Sequence, residues 1–197
     1  MPDAKGAMKF SGTPADCFKM GIRFLKEKGV QIDMVFSGIN HGGNLGTDTL
    51  YSGTVAAAME GVICGIPGVA VSVDSHRPSH FETACKLTLD VFEKVKAGIP
   101  DGVCLSINVP NLPAEEIKGL KYASLGMRQY IEQFEQTINQ QGQTEYWYRG
   151  LPVIYNCDEM SNDVTAMQQH YATITPLKFD LTHEQFMQEL CKWELKI

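Results

Sequence analysis

Apolar residues near the start of the chain fall at helical spacing: Cys17, Met20, Gly21, Phe24 and Leu25 occupy i, i+3, i+4, i+7 and i+8. This predicts a helix over 13–28 with one buried stripe. Thr13 before Pro14, with Asp16 three residues on, supplies the cap, the first-turn proline and an acid at the positive end, and Gly29 supplies the stop. Met34, Val35 and Phe36 then form an unbroken apolar run closed by Ser37-Gly38, the pattern of a buried parallel strand. A helix from about Ser52 places Val55, Ala58, Met59, Val62 and Ile63 on one face and ends at Gly65, and its three adjacent alanines suit a close approach to a sheet. Val69 to Val73 predicts a strand, 79–97 a helix, and Val103 to Val109 a further strand. Strand and helix alternating through 30–110 predict an α/β layer with a parallel sheet and right-handed crossovers.

Past Pro113 the pattern changes. Residues 119–125, 130–137 and 144–149 alternate as strands, with Asn139-Gln140-Gln141-Gly142 as the turn of a hairpin. Glu145-Tyr146-Trp147-Tyr148 puts aromatics on both faces of its strand, more than a lone hairpin in water can use, so a neighbouring subunit is expected. Asp163 is expected to cap a short helix, and Ala172 to Thr175 to form a strand. A last helix is expected to start at Thr182 with Gln185 completing a capping box, docked by Phe186, Leu190 and Trp193. The chain therefore divides into a core, 1–112, and a hairpin, strand and helix extension, 113–197.

Composition narrows the class. With 197 residues, 44% of them hydrophobic and 20% charged, the chain can bury a core, and it has no apolar run long enough to span a bilayer. The opening residues lack a secretion signal, which makes the cytoplasm the expected location. Cys17, Cys64, Cys85, Cys104, Cys157 and Cys191 are scattered among apolar neighbours, which predicts reduced core thiols and no zinc site. A net charge of −6 argues against a nucleic-acid polymer as partner and leaves a single small anion as the charged ligand.

The candidate chemistry lies between the first strand and the second helix. The stretch 37–54 follows a buried strand and holds glycines at 38, 42, 43 and 46, with Asn40 and Asn44, whose amides can ligate a cation or donate to a phosphate. Ser52, Gly53 and Thr54 open the next helix, where unpaired N–H groups and the positive end of the dipole favour an anion. Ser52 as a plain cap and the glycines as plain turn residues is the competing reading, but the concentration of Gly and Asn favours a site. His41 is a weak acid candidate, His76 and His80 lie after a strand at the same edge, and Asp48 is the loop's carboxylate. His170, His183, Glu60, Glu115-Glu116 and Asp158-Glu159 read as structural or surface residues.

Residues 37–61, SGINHGGNLGTDTLYSGTVAAAMEG, resemble the hallmark segment of the SurE family of metal-dependent nucleotide phosphatases. GTPADC at 12–17, SINVPNLP at 106–113 and ITPLKFDLT at 174–182 resemble further segments of that family in the same order. The resemblance implies a Rossmann-like, three-layer α/β domain with a β-hairpin and a C-terminal helix involved in oligomerisation, as a dimer or tetramer. It implies hydrolysis of nucleoside monophosphates with a divalent cation, Mg²⁺ or Mn²⁺. Asn40 would be a metal ligand, and Asn44, Ser52, Gly53 and Thr54 would receive the phosphate. The family also carries an Asn-Asp-Asp-Gly motif and a following serine as cation ligands, whereas no adjacent Asp-Asp occurs in these 197 residues. Two expectations follow: impaired catalysis by this chain alone, through a truncated or misassigned start, or a non-catalytic paralogue that binds nucleotide weakly or assembles with complete subunits.

Overall fold

The computed structural model describes residues 7–96, 98–153 and 162–195; Cys157 and the Asp158-Glu159 pair lie outside them, as does the end of the predicted helix at 97. Helix α1, Pro14–Glu27, starts as the sequence predicts: Thr13 Oγ accepts the Asp16 N–H at 3.2 Å, and the Asp16 carboxylate accepts the Thr13 N–H at 2.9 Å. The Thr13 hydroxyl, which donates to the same carboxylate at 2.7 Å, and then the Thr13 N–H hold the Asp16 carboxyl below its usual range. Its apolar stripe is not buried, however. Met20 is 51% exposed and Phe24 39%, because α1 packs mainly on α2, Gly53–Ile63, and leaves its outer flank to solvent. Lys19 of α1 pairs with Glu60 of α2 at 3.1 Å.

The main sheet contains β1, Val35–His41; β2, Gly68–Asp74; β3, Cys104–Pro110; β4, Gly119–Tyr122; and β7, Tyr171–Leu177. Their order is β1-β2-β3-β7-β4. The β1, β2 and β3 pairs are parallel, as alternation predicts, while β7 runs antiparallel to β3 and parallel to β4. The sheet is thus mixed and mostly parallel, with helices on both faces, an α/β fold. The first apolar run departs from expectation. It is an edge strand, paired to β2 on one side, and none of its residues is fully buried. It also runs on past Ser37-Gly38, irregularly between Ser37 and Asn40, so Asn40 and His41 belong to the strand and not to the loop.

One face of the sheet, Val69, Val71, Val73, Ile107, Val109, Ala172 and Ile174, is covered by α3, Phe81–Val95, through Ala84 and Val91. On the other face Val55, Ala58 and Val62 of α2 cover Ala70, Cys104 and Leu177. Burying each of the larger side chains contributes roughly 1.5–3 kcal/mol. Burial also pushes the Cys104 thiol up to about 12, so it is an inert core group.

Strands β5, Tyr130–Ile138, and β6, Thr144–Pro152, form the predicted hairpin as a separate two-stranded sheet. Asn139 Oδ1 closes its turn by accepting the N–H groups of Gln141 and Gln143. Helix α4, Asp163–Gln168, is capped by Asn162, whose side chain accepts the Thr165 N–H, rather than by Asp163. Helix α5, Glu184–Leu190, begins two residues later than Thr182, and His183 Nδ1 caps it by accepting the Phe186 N–H at 3.1 Å. A Thr182–Gln185 box does not form. Phe186, Leu190 and Trp193 remain exposed, with Phe186 packed edge-on against Trp193 and not docked on the sheet. Glu115 and Glu116 lie in a single 3-10 turn, Ala114–Glu116. Among the described residues no helix is long and apolar enough to cross a membrane.

Candidate functional site

Strands β1, β2 and β3 end together at Asn40-His41, Asp74 and Asn108-Pro110, and the glycine-rich loop crosses these ends before α2 begins. Open α/β sheets bind ligands at this edge, where strand carbonyls end and helix N-termini point inward. On the α2 side the sheet changes character toward this edge. Ala70 and Cys104, beneath α2, give way to Ser72, Ser106, Asn108 and Thr173, all buried.

Asn108 and Ser72 of that row hold the loop down. Asn108 Oδ1 accepts the Asn44 N–H at 2.8 Å, and its Nδ2 donates to Asn44 O at 3.2 Å and Ser106 Oγ at 3.3 Å. The Asn44 amide nitrogen in turn donates to Ser72 Oγ at 2.6 Å. Such pairing is required, because an unmade bond at a buried polar group costs roughly 1–3 kcal/mol. Two residues on, Asp163, fully buried, accepts the N–H groups of Gly46 at 2.8 Å and Gly126 at 2.7 Å. Burial raises the Asp163 carboxyl above its ordinary value, opposed by these N–H donors. Gly46 has φ +49°, and a Cβ there would lie 2.5 Å from Gly126 O, so only glycine lets the two backbones meet. Thr47 Oγ1 both donates to Arg128 O at 2.9 Å and accepts the Arg128 N–H at 3.2 Å.

The loop then winds through a 3-10 turn, Gly46–Tyr51, into Ser52, the N-cap of α2. Ser52 Oγ accepts the Val55 N–H at 3.1 Å, which leaves its hydroxyl proton available to an anion beside the first N–H groups of the helix. Ser52, Gly53 and Thr54 are all half-buried at this mouth. Gly53 has a packing reason as well, since a Cβ there would come within 2.9 Å of Pro14 Cγ. The loop and the start of α1 are thereby fitted together.

Asn40 lies near the end of β1, Asn44 in the loop that follows, and Ser52, Gly53 and Thr54 at the start of α2. Asn40 donates its Nδ2 to Gly42 O at 2.9 Å, which leaves Oδ1 as its acceptor. Asn44 is almost fully buried with its nitrogen turned to the sheet. His41 is exposed and packs on Phe81, with ring centroids 5.5 Å apart. His76 approaches Gly42, and His80 precedes α3 with no side-chain cap bond. Asn108 and Arg128 escaped the sequence reading, and Asp163 entered it only as a helix cap. Asn108 had a legible signal, an amide inside the apolar strand run SINVP, whereas Asp163 and Arg128 had none.

A divalent cation fits the described residues poorly. Among them no group of three His, Cys, Asp or Glu side chains could hold one, and Asn40 offers a single neutral oxygen. Hard cations are held through carboxylates and several oxygens together.

A glycine-rich loop pinned across the carboxyl ends of parallel strands and feeding a helix N-terminus defines an α/β domain with a candidate ligand loop at the strand ends. Residues 2–132 match the family described as survival protein SurE, and the chain belongs to that family. The 5'-nucleotidase SurE of Thermosynechococcus vestitus is 44% identical over 187 residues, which cover 93% of this chain and 70% of the relative. That of Syntrophobacter fumaroxidans is 39% identical over 186 residues, 94% of this chain and 73% of the relative. The crystal structure of SurE protein from Aquifex aeolicus shares the fold, with a TM-score of 0.77 and 41% identity over 91% of this chain and 72% of its own.

Proposed function

We propose that the chain is a SurE-type phosphomonoesterase that takes nucleoside monophosphates and yields nucleoside and phosphate. The observation that carries this reading is the mouth of α2, where Ser52, Gly53 and Thr54 open beside a loop fixed at Asn44 and Gly46. The phosphate is held there by the Gly53 and Thr54 N–H groups and the Ser52 and Thr54 hydroxyls, and the helix dipole favours its charge. These donors orient the phosphoryl oxygens and stabilise charge that builds on them. The relatives' name, 5'-nucleotidase, supports the substrate class.

Mg²⁺ or Mn²⁺ is the cation proposed for this chemistry, with Asn40 as one ligand. Such a cation, if bound, would supply charge stabilisation on the phosphoryl group and an acidified water. The described residues alone do not complete its shell. The cytoplasm as location, and a homodimer or tetramer assembled through the hairpin and C-terminal helix, belong to the same proposal. Exposed Phe134, Trp147 and Trp193 support the assembly.

The sparse donor set of the described residues favours a second reading, a nucleotide-binding chain that does not turn over or that works beside complete subunits. Calorimetry with adenosine monophosphate, with and without Mn²⁺, together with a phosphate-release assay, separates the two. Metal-dependent affinity with rapid release supports the enzyme. Metal-independent binding with negligible release supports the binder, and no binding at all discards both.

A further inference from the structure

Arg128 sits where the hairpin's first strand leaves the body of the protein, and its side chain is 17% exposed. The guanidinium lies 3.2 Å from Asp48 Oδ2 and 3.7 Å from Asp74 Oδ1, and donates to Gly43 O at 3.3 Å. Asp74 Oδ1 also accepts the Gly43 N–H at 3.1 Å, and the Tyr130 hydroxyl donates to Asp48. Both carboxylates therefore bear on the loop that runs from Asn44 to Ser52. Asp48 lies in the turn that delivers Ser52, and Asp74 holds the residue next to Asn44. Two acids so placed oppose the entry of a phosphate dianion, and Arg128 is the cation that offsets them.

We infer that Arg128 is a positioning residue of the phosphate cradle: it offsets Asp48 and Asp74 and fixes Gly43, so that the loop admits a doubly charged phosphate. This rests on the loop being the phosphate site. The local charge of the three side chains is minus one as found. Arg128→Met, which keeps most of the alkyl stem, makes it minus two. Arg128→Met with Asp48→Asn and Asp74→Asn makes it zero, and the two Asn substitutions with Arg128 retained make it plus one.

Binding of inorganic phosphate to the full chain, measured by calorimetry at low ionic strength, should follow that ladder. Arg128→Met should weaken binding about tenfold, with a smaller loss at 0.5 M salt, since screening weakens charge effects at the surface. The triple variant should recover at least the parent affinity, and the double Asn variant should bind more tightly than the parent. A role confined to packing weakens binding in every variant, and that result overturns the inference. Should Arg128→Met fail to fold, the double Asn variant still decides: affinity equal to or below the parent overturns it. A parent that binds phosphate and loses it on Ser52→Ala, while Arg128→Met binds as the parent does, removes this inference and leaves the site standing. A parent that binds no phosphate removes both.

Discussion

The proposed ligand loop and the hairpin arm meet at residues 126–130, yet they are ordered in opposite ways. The loop has little regular structure of its own, and it is held by bonds to β2, β3, α4 and the arm's root, many of them buried. The arm is a regular ladder from Tyr130 to Pro152, bonded almost wholly to itself, with Phe134, Tyr146, Trp147 and Tyr148 exposed. Regularity does not mark the rigid region here. Rigidity follows from bonds that reach distant parts of the chain, whereas a ladder with uncovered aromatics depends on whatever covers it.

The sharpest way to break this contrast is Asp163→Ala. It leaves the Gly46 and Gly126 N–H groups without their acceptor, and urea denaturation should show a loss of about 2–5 kcal/mol. Asn108→Ala, which frees both backbone groups of Asn44, should cost about 2–3 kcal/mol and weaken phosphate binding by calorimetry. Ser52→Ala removes the cap of α2 at about 1 kcal/mol, and it should reduce phosphate affinity by more than that loss of stability alone would. On the arm, Trp147→Ser should change monomer stability by less than about 0.5 kcal/mol while lowering self-association in sedimentation. An equal loss of stability in arm and loop would erase the distinction.

The smallest effect concerns pH. Burial, then the bond to Asp48, pushes the Tyr130 phenol up to about 12 from an ordinary value of 10.0. A raised pKa means that the folded state keeps the proton, so this contribution is full below pH 10 and is lost as pH rises toward 12. Phosphate affinity should therefore hold steady from pH 8 to 9, and absorbance titration of the Tyr130→Phe variant should lack the late-titrating phenol. For Asp163, also raised, the contribution is full below its ordinary value and declines as pH climbs through the folded one. Its carboxyl resonance should titrate above 3.8.

The alternation of apolar runs and helical stripes was enough to find the parallel strands and the hairpin, because both patterns are local. Local signals misjudged exposure. The stripe of α1 and the run of β1 read as buried, but α1 packs mainly on α2 and β1 stands at the sheet's edge. The last helix was displaced for a similar reason: Thr182 and His183 are both adjacent to its start, and backbone geometry selected the imidazole as the cap.

By itself the sequence determined the α/β order, the glycine-rich loop with Asn40 and Asn44, and the Ser52-Gly53-Thr54 helix start, since each depends on residues within a few positions of one another. Only the tertiary structure decided what fixes that loop. Asp163 reaches Gly46 across 117 residues, and Arg128 reaches Gly43 across 85. An acid or a guanidinium at such separation carries no periodic or spacing signal, because its partner is chosen by the strand order β1-β2-β3-β7-β4, which brings α4 and the root of the arm over the ends of the parallel strands.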